Sequence, residues 1–110
     1  MGGEAQPFYV RRRAGDGQIV LEVGGECDAS TLGELNEALR ELVEERPQEL
    51  VVDLAHMTFI DSLTLGALTA AAKRVRARGG LFGVVRAHAP EVRRAFEITG
   101  LDRYLLTAVE

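Results

Sequence analysis

The chain has 110 residues, 46% of them hydrophobic, enough for one domain with its own core and too few for two. Its net charge of −4 excludes a general nucleic-acid binder, which needs a basic footprint. No apolar run reaches the roughly 20 residues that span a bilayer, and the single cysteine, Cys27, excludes an internal disulfide and fits a reducing cytosol.

The opening MGGEAQPFYVRRR lacks the apolar centre of a secretory leader, and its first few residues read as disordered. FYVRRR predicts a first strand, GDG at Gly15–Gly17 a turn, and QIVLEVGGE a second strand, so the pair predicts a β-hairpin. DASTLGELNEALRELVEE follows as an amphipathic helix. Leu32, Leu35, Leu39 and Leu42 recur at helical spacing and define its buried stripe. Thr31 with Glu34 fits a capping box, with Ser30 as an alternative cap, and Pro47 ends the helix.

ELVVDL is a short, nearly continuous apolar strand, the pattern expected when both faces of a sheet are covered. TFIDSLTLGAL then passes from strand and loop into a second helix. Its inner face is predicted at Leu65, Leu68, Ala72 and Val75, and Gly79-Gly80 stops it. LFGVV is another buried strand. APEVRRAFEITG is a short third helix with Pro90 near its start and Gly100 at its end. YLLTAV predicts a last strand or a tail. Strands alternating with helices in the later part imply parallel crossover units, hence an α/β domain over residues 1–110 with a mixed central sheet and helices mainly on one face. Leu35, Leu39, Val51, Val52, Leu68, Val75 and Val84 are expected in the core. With no long heptad run and a charged surface, the protein is expected to be a monomer or a weak dimer.

The chemistry concentrates at Asp61-Ser62. Ligand-bearing groups of α/β sheets gather outside the carboxyl ends of the strands, and Ser62 falls where a strand gives way to a helix. A helix N-terminus offers unpaired N–H groups and the positive end of the macrodipole, so a phosphate on Ser62 would be held there. It would add about −1.5 to −2 charges beside Asp61. Three roles stand open for the serine: helix cap, nucleophile, or a site modified by another enzyme.

The nucleophile role lacks its helpers. A nucleophile elbow carries glycines two residues either side of the serine, and IDSLT has neither. His56 and His88 are the two histidines; His56 precedes Ser62 by six residues but nothing orients it, and His88 sits in a loop before Pro90. One cysteine and two scattered histidines make no metal set, and neither Gly24-Gly25 nor Gly79-Gly80 has phosphate-loop spacing. Cys27 reads as a packed, inert thiol. The basic stretches RRR at 11–13 and KRVRAR at 73–78 read as solvated faces.

Four blocks, taken together and in order, resemble the STAS domain of bacterial anti-sigma-factor antagonists. They are GGECD at Gly24–Asp28, LVVDLAHMTFIDS, ARGGLFGVV and VRRAFEITGLDRYL, and the resemblance runs from Val20 to Leu106. It implies a STAS fold without catalysis, cofactor or metal, in a cytoplasmic regulator of transcription. It also implies that Ser62 is the phosphoacceptor of an anti-sigma factor that is itself a serine kinase, with a phosphatase restoring the free serine. The partner-binding residues it implies are Asp28, Asp61, Ser62, Leu63 and Thr64, with no direct contact to nucleic acid or membrane. Leu63 and Thr64 depart from the family's usual Ser/Thr and Gly after the D-S pair, and Thr64 adds a second hydroxyl. The alternative implied by the same resemblance is an unphosphorylated STAS scaffold or a small-ligand or nucleotide sensor.

Overall fold

The computed structural model describes residues 7–101. The expectations for the first six residues and for YLLTAV therefore lie outside the described residues. Strands β1 (Tyr9–Gly15) and β2 (Gln18–Cys27) form the expected hairpin. Asp16 and Gly17, both at positive φ, make its two-residue turn, the backbone that Asp-Gly favours because the primed turn matches strand twist. Helix α1 (Leu32–Glu44), strand β3 (Glu49–Asp53), strand β4 (Met57–Ile60), helix α2 (Ser62–Ala77), strand β5 (Leu81–Val85) and helix α3 (Pro90–Thr99) follow.

The sheet is mixed, in the order β1-β2-β3-β5, antiparallel at β1–β2 and parallel thereafter. β3 runs beside β2 as far as the Glu22–Asp53 pair. Beyond it β4 pairs with the last residues of β2, from Gly25 opposite Met57, across a register shift between Gly25 and Glu26. The segment read as one strand and its loop is thus two strands. Asp53 Oδ1 accepts from Ala55 N at 2.9 Å, and Met57 N donates to Leu54 O, turning the chain tightly between them. The bulge lets one ten-residue strand serve both partners.

Leu50 and Val52 of β3 point into the core with Leu21, Val23, Phe82 and Val84. Helices α1 and α2 close that side through Leu35, Leu39, Leu42, Leu68, Ala72 and Val75. All seven residues expected in the core are buried. Leu32, the first of the predicted stripe, is only half-buried. Val51 is buried as well but faces away from the helices, as its alternation with Leu50 and Val52 requires.

On that second face a charged row replaces a core. Arg11 pairs across to Glu22 and Glu22 to Asp53. The Glu22 side chain is nearly buried. Tyr9 Oη donates to its Oε2 at 2.7 Å, and Arg11 and Arg13 stand 3.8 Å from its Oε1. Arg13 also reaches Asp53 at 4.0 Å.

Helix ends follow local chemistry with one correction. Gly79 and Gly100 take left-handed backbone after α2 and α3, and Pro90 opens α3. The capping box at Thr31 and Glu34 does not form. Thr31 occupies the cap position, but its hydroxyl sits 3.1 Å from both the N and the O of Asp28, so it fastens the preceding turn instead of the helix.

Candidate functional site at the head of the second helix

β4 delivers the chain to Asp61, whose extended backbone makes it the N-cap of α2. Its Oδ1 accepts from Thr64 N at 2.9 Å and from Thr64 Oγ1 at 2.8 Å, and its carbonyl accepts the first helical bond from Leu65 N. Asp61 therefore satisfies the third donor of the helix. Of the three roles left open for Ser62, capping is taken by its neighbour. Ser62 is the first helical residue, exposed, and its hydroxyl has no hydrogen-bond partner among the described residues. The N–H groups of Ser62 and Leu63 lie in the first turn, where no carbonyl of the helix can reach them.

Leu63 projects outward at 55% exposure, and Phe59 of β4 is 47% exposed. Two large apolar side chains thus flank Asp61-Ser62 along the chain. Phe59 was hidden in the sequence, because it lies in an apolar run leading to Asp61; in the structure Met57 and Ile60 are buried while Thr58 and Phe59 face out.

Thr64 turns the other way. It is fully buried, and besides Asp61 its Oγ1 lies 3.3 Å from the carbonyl of Cys27 at the end of β2. Expected among the partner-binding residues as a second hydroxyl, it has no surface to offer a partner. The spacing Asp61-x-x-Thr64, cap to third helical residue, was the available signal for this inward role.

Asp28 follows Cys27 directly and is half-buried. Its Oδ1 accepts from Ser30 Oγ at 2.7 Å and Ser30 N at 2.9 Å, and these bonds, the hydroxyl's first, hold its pKa below the usual carboxylate value. Cys27 itself is fully buried. Desolvation, then the charges of Asp28 and Asp61, push its thiol up to about 12. The Thr64 hydroxyl, 3.3 Å from the Cys27 carbonyl, brings the end of β2 and the head of α2 together at this point. The thiol stays protonated at neutral pH and is no nucleophile.

No base is hydrogen-bonded to the Ser62 hydroxyl among the described residues. His56 and His88 instead pair with each other, ring centroids 5.7 Å apart and edge to face, beside a bond from His88 N to Ala55 O. Among the described residues no cluster of three or more His, Cys, Asp or Glu is placed to hold a metal, and no helix is long and apolar enough to cross a membrane.

A family model described as "Mlab, STAS domain" matches residues 10–107. The anti-sigma-F factor antagonist RsfB of Mycobacterium tuberculosis is 38% identical over 88 residues, 80% of this chain and 70% of that protein. The anti-sigma-B factor antagonist of Staphylococcus aureus is 30% identical over 81 residues, 74% of each. Among solved structures, an anti-sigma factor antagonist from Mycobacterium paratuberculosis superposes with a TM-score of 0.83 at 33% identity, covering 94% of this chain and 87% of that one.

Proposed function

Since the chain belongs to the STAS domain family, we propose that it is an anti-sigma-factor antagonist whose binding is switched by phosphorylation of Ser62. The observation that carries this reading is the division of labour at the head of α2. Asp61 caps the helix, and Ser62 is left exposed with its hydroxyl unengaged. A residue with no structural duty at that position is free to be modified without unfolding what it sits on.

In this reading the partner is a cytoplasmic anti-sigma factor with serine kinase activity, and it docks over Ser62, Leu63 and Phe59, with Asp28 and Asp61 at the rim. The unmodified antagonist holds the anti-sigma factor and the sigma factor is released. Phosphoryl transfer from the partner's ATP to Ser62 Oγ then places a dianion in a contact fitted to a neutral hydroxyl. An uncompensated charge at a desolvated contact costs about 2–5 kcal/mol, roughly 30-fold to several thousand-fold in affinity. The N–H groups of Ser62 and Leu63 favour the phosphate, while Asp61 and Asp28 oppose it. Release needs no refolding, because the cap and the core below it are untouched. A phosphatase resets the site.

Calorimetry with the anti-sigma partner tests this. Ser62→Ala binds like the unmodified protein, Ser62→Asp binds at least 30-fold more weakly, and the kinase labels wild type but not Ser62→Ala. Equal tight binding by both variants, with no labelling of wild type, would leave a scaffold without a phosphoswitch.

A further inference from the structure

A small cleft with an accessible volume of about 70 Å³, partly open to solvent, lies between β5 and α3. Its floor is apolar: Leu54, Val84, Ala87 and Phe96. Its rim carries Arg86, Arg93 and Glu97, and Arg94 lines its continuation along the outer face of α3. The position is the carboxyl end of the parallel strands β3 and β5, where α/β sheets take their ligands.

The arginines of this rim differ from most others in the chain. Arg11 and Arg13 share Glu22, Arg12 holds Glu45, and Arg40 holds Glu37 and Glu44. Arg78 donates to Val43 O and Arg76 to Phe82 O. The guanidinium groups of Arg86, Arg93 and Arg94 make no ion pair or hydrogen bond among the described residues. Unpaired arginines lining an apolar-floored cleft, in a chain of net charge −4, are a local inversion of the protein's field.

We infer that this cleft binds a small monocarboxylate, its compact apolar body on the floor and its carboxylate between Arg86 and Arg93. A planar carboxylate matches the guanidinium fork, and an apolar body is what the floor can desolvate. Glu97 on the same rim sets the charge limit, because it repels a phosphate dianion or a polyphosphate more strongly than a monoanion. The inference is independent of the role proposed for Ser62, since it uses none of the residues at the head of α2.

The test is an amide NMR titration of the whole chain with 3-phenylpropionate, its neutral counterpart 3-phenylpropanol, and inorganic phosphate. Expected is a saturable shift of the amides of Ala87, Arg93 and Phe96 with 3-phenylpropionate alone. Arg86→Gln and Arg93→Gln should each weaken it about tenfold, and Ala87→Leu, which fills the floor with both arginines intact, should abolish it. The arginine variants are surface changes, so their unperturbed spectra report folding directly. No saturable shift overturns the inference. So does equal binding of the alcohol, which makes the site merely apolar, or of phosphate, which makes it merely basic.

Discussion

Thr64 Oγ1 lies 2.8 Å from Asp61 Oδ1 and 3.3 Å from the carbonyl oxygen of Cys27. Both are acceptors and the hydroxyl has one proton, so it donates to one at a time, the shorter contact favouring Asp61. A single buried hydroxyl thereby joins the head of α2 to the end of β2. It also fixes the Asp61 carboxylate in its capping position and leaves Ser62 to face solvent.

Replacing Thr64 with Val keeps the shape and removes that hydroxyl. Asp61 retains the Thr64 N–H bond, but a buried polar partner is lost and the Cys27 carbonyl loses a neighbour. We expect a loss of about 1–2 kcal/mol, read by urea unfolding at unchanged m-value. Asp61→Ala should cost a similar amount through the cap, and the double variant should cost less than the sum, since the two residues share one bond.

Leu63 is more than half exposed and supports nothing inside the protein. Leu63→Asp should therefore leave stability within about 0.5 kcal/mol. Under the proposed function it should weaken binding to the anti-sigma partner about tenfold or more, because it puts a charge where an apolar contact is expected. Undiminished affinity would move the docking surface away from the head of α2.

Cys27 gives stability a pH dependence of definite sign. Its thiol is raised from its ordinary value near 9 to about 12, mainly by burial. The folded state holds the proton that the unfolded state gives up, so this contribution is fully present below pH 9 and is lost as pH rises toward 12. The slope is at most about 1.4 kcal/mol per pH unit for one proton. Unfolding followed from pH 8 to pH 11 should show this decline, reduced in Cys27→Ala. In the native protein at pH 8 iodoacetamide should leave the thiol unmodified, whereas in urea it should react promptly.

Tyr9 and Glu22 form a part-buried polar contact with consequences of its own. Glu22 sits under Tyr9, Arg11 and Arg13 on the sheet face away from the helices. Tyr9→Phe should cost about 1 kcal/mol, because a nearly buried carboxylate loses its shortest donor. The phenol's pKa is raised, first by its bond to Glu22 and then by burial. Ultraviolet titration should therefore show Tyr9 ionising at lower pH in Glu22→Gln than in wild type.

Where periodicity was strong, as in α1 and in Leu50-Val51-Val52, the sequence carried the fold. The hairpin was legible because Asp-Gly has a backbone preference of its own. β4 was not, because four residues with Met57 and Ile60 buried and Thr58 and Phe59 exposed show neither strand nor helix period. Its pairing depends on a bulge in a strand more than 30 residues earlier, and no local pattern reports that. The capping box at Thr31 failed for a related reason. Asp28 competes for the same hydroxyl, and the turn won over the helix. At the candidate site the positions of Asp61 and Ser62 were legible, but which of the two would cap was not. Thr64 settled it by bonding to Asp61 from inside.

The three consecutive arginines of β1 have a bearing on how the protein behaves in a crowded cell. Among the described strands β1 closes one end of the sheet, and a sheet's end invites another chain to add a strand. Arg11, Arg12 and Arg13 line that end with side chains fastened to Glu22, Glu45 and Asp53 of their own molecule. A second chain approaching edge-on would meet side chains already engaged within the molecule, and adding a strand there would have to disturb these ion pairs. The stretch that resembles a basic patch in the sequence thus acts as a guard against fibre-like stacking. Its removal should show first as turbidity in concentrated solution, before any change in the folded state.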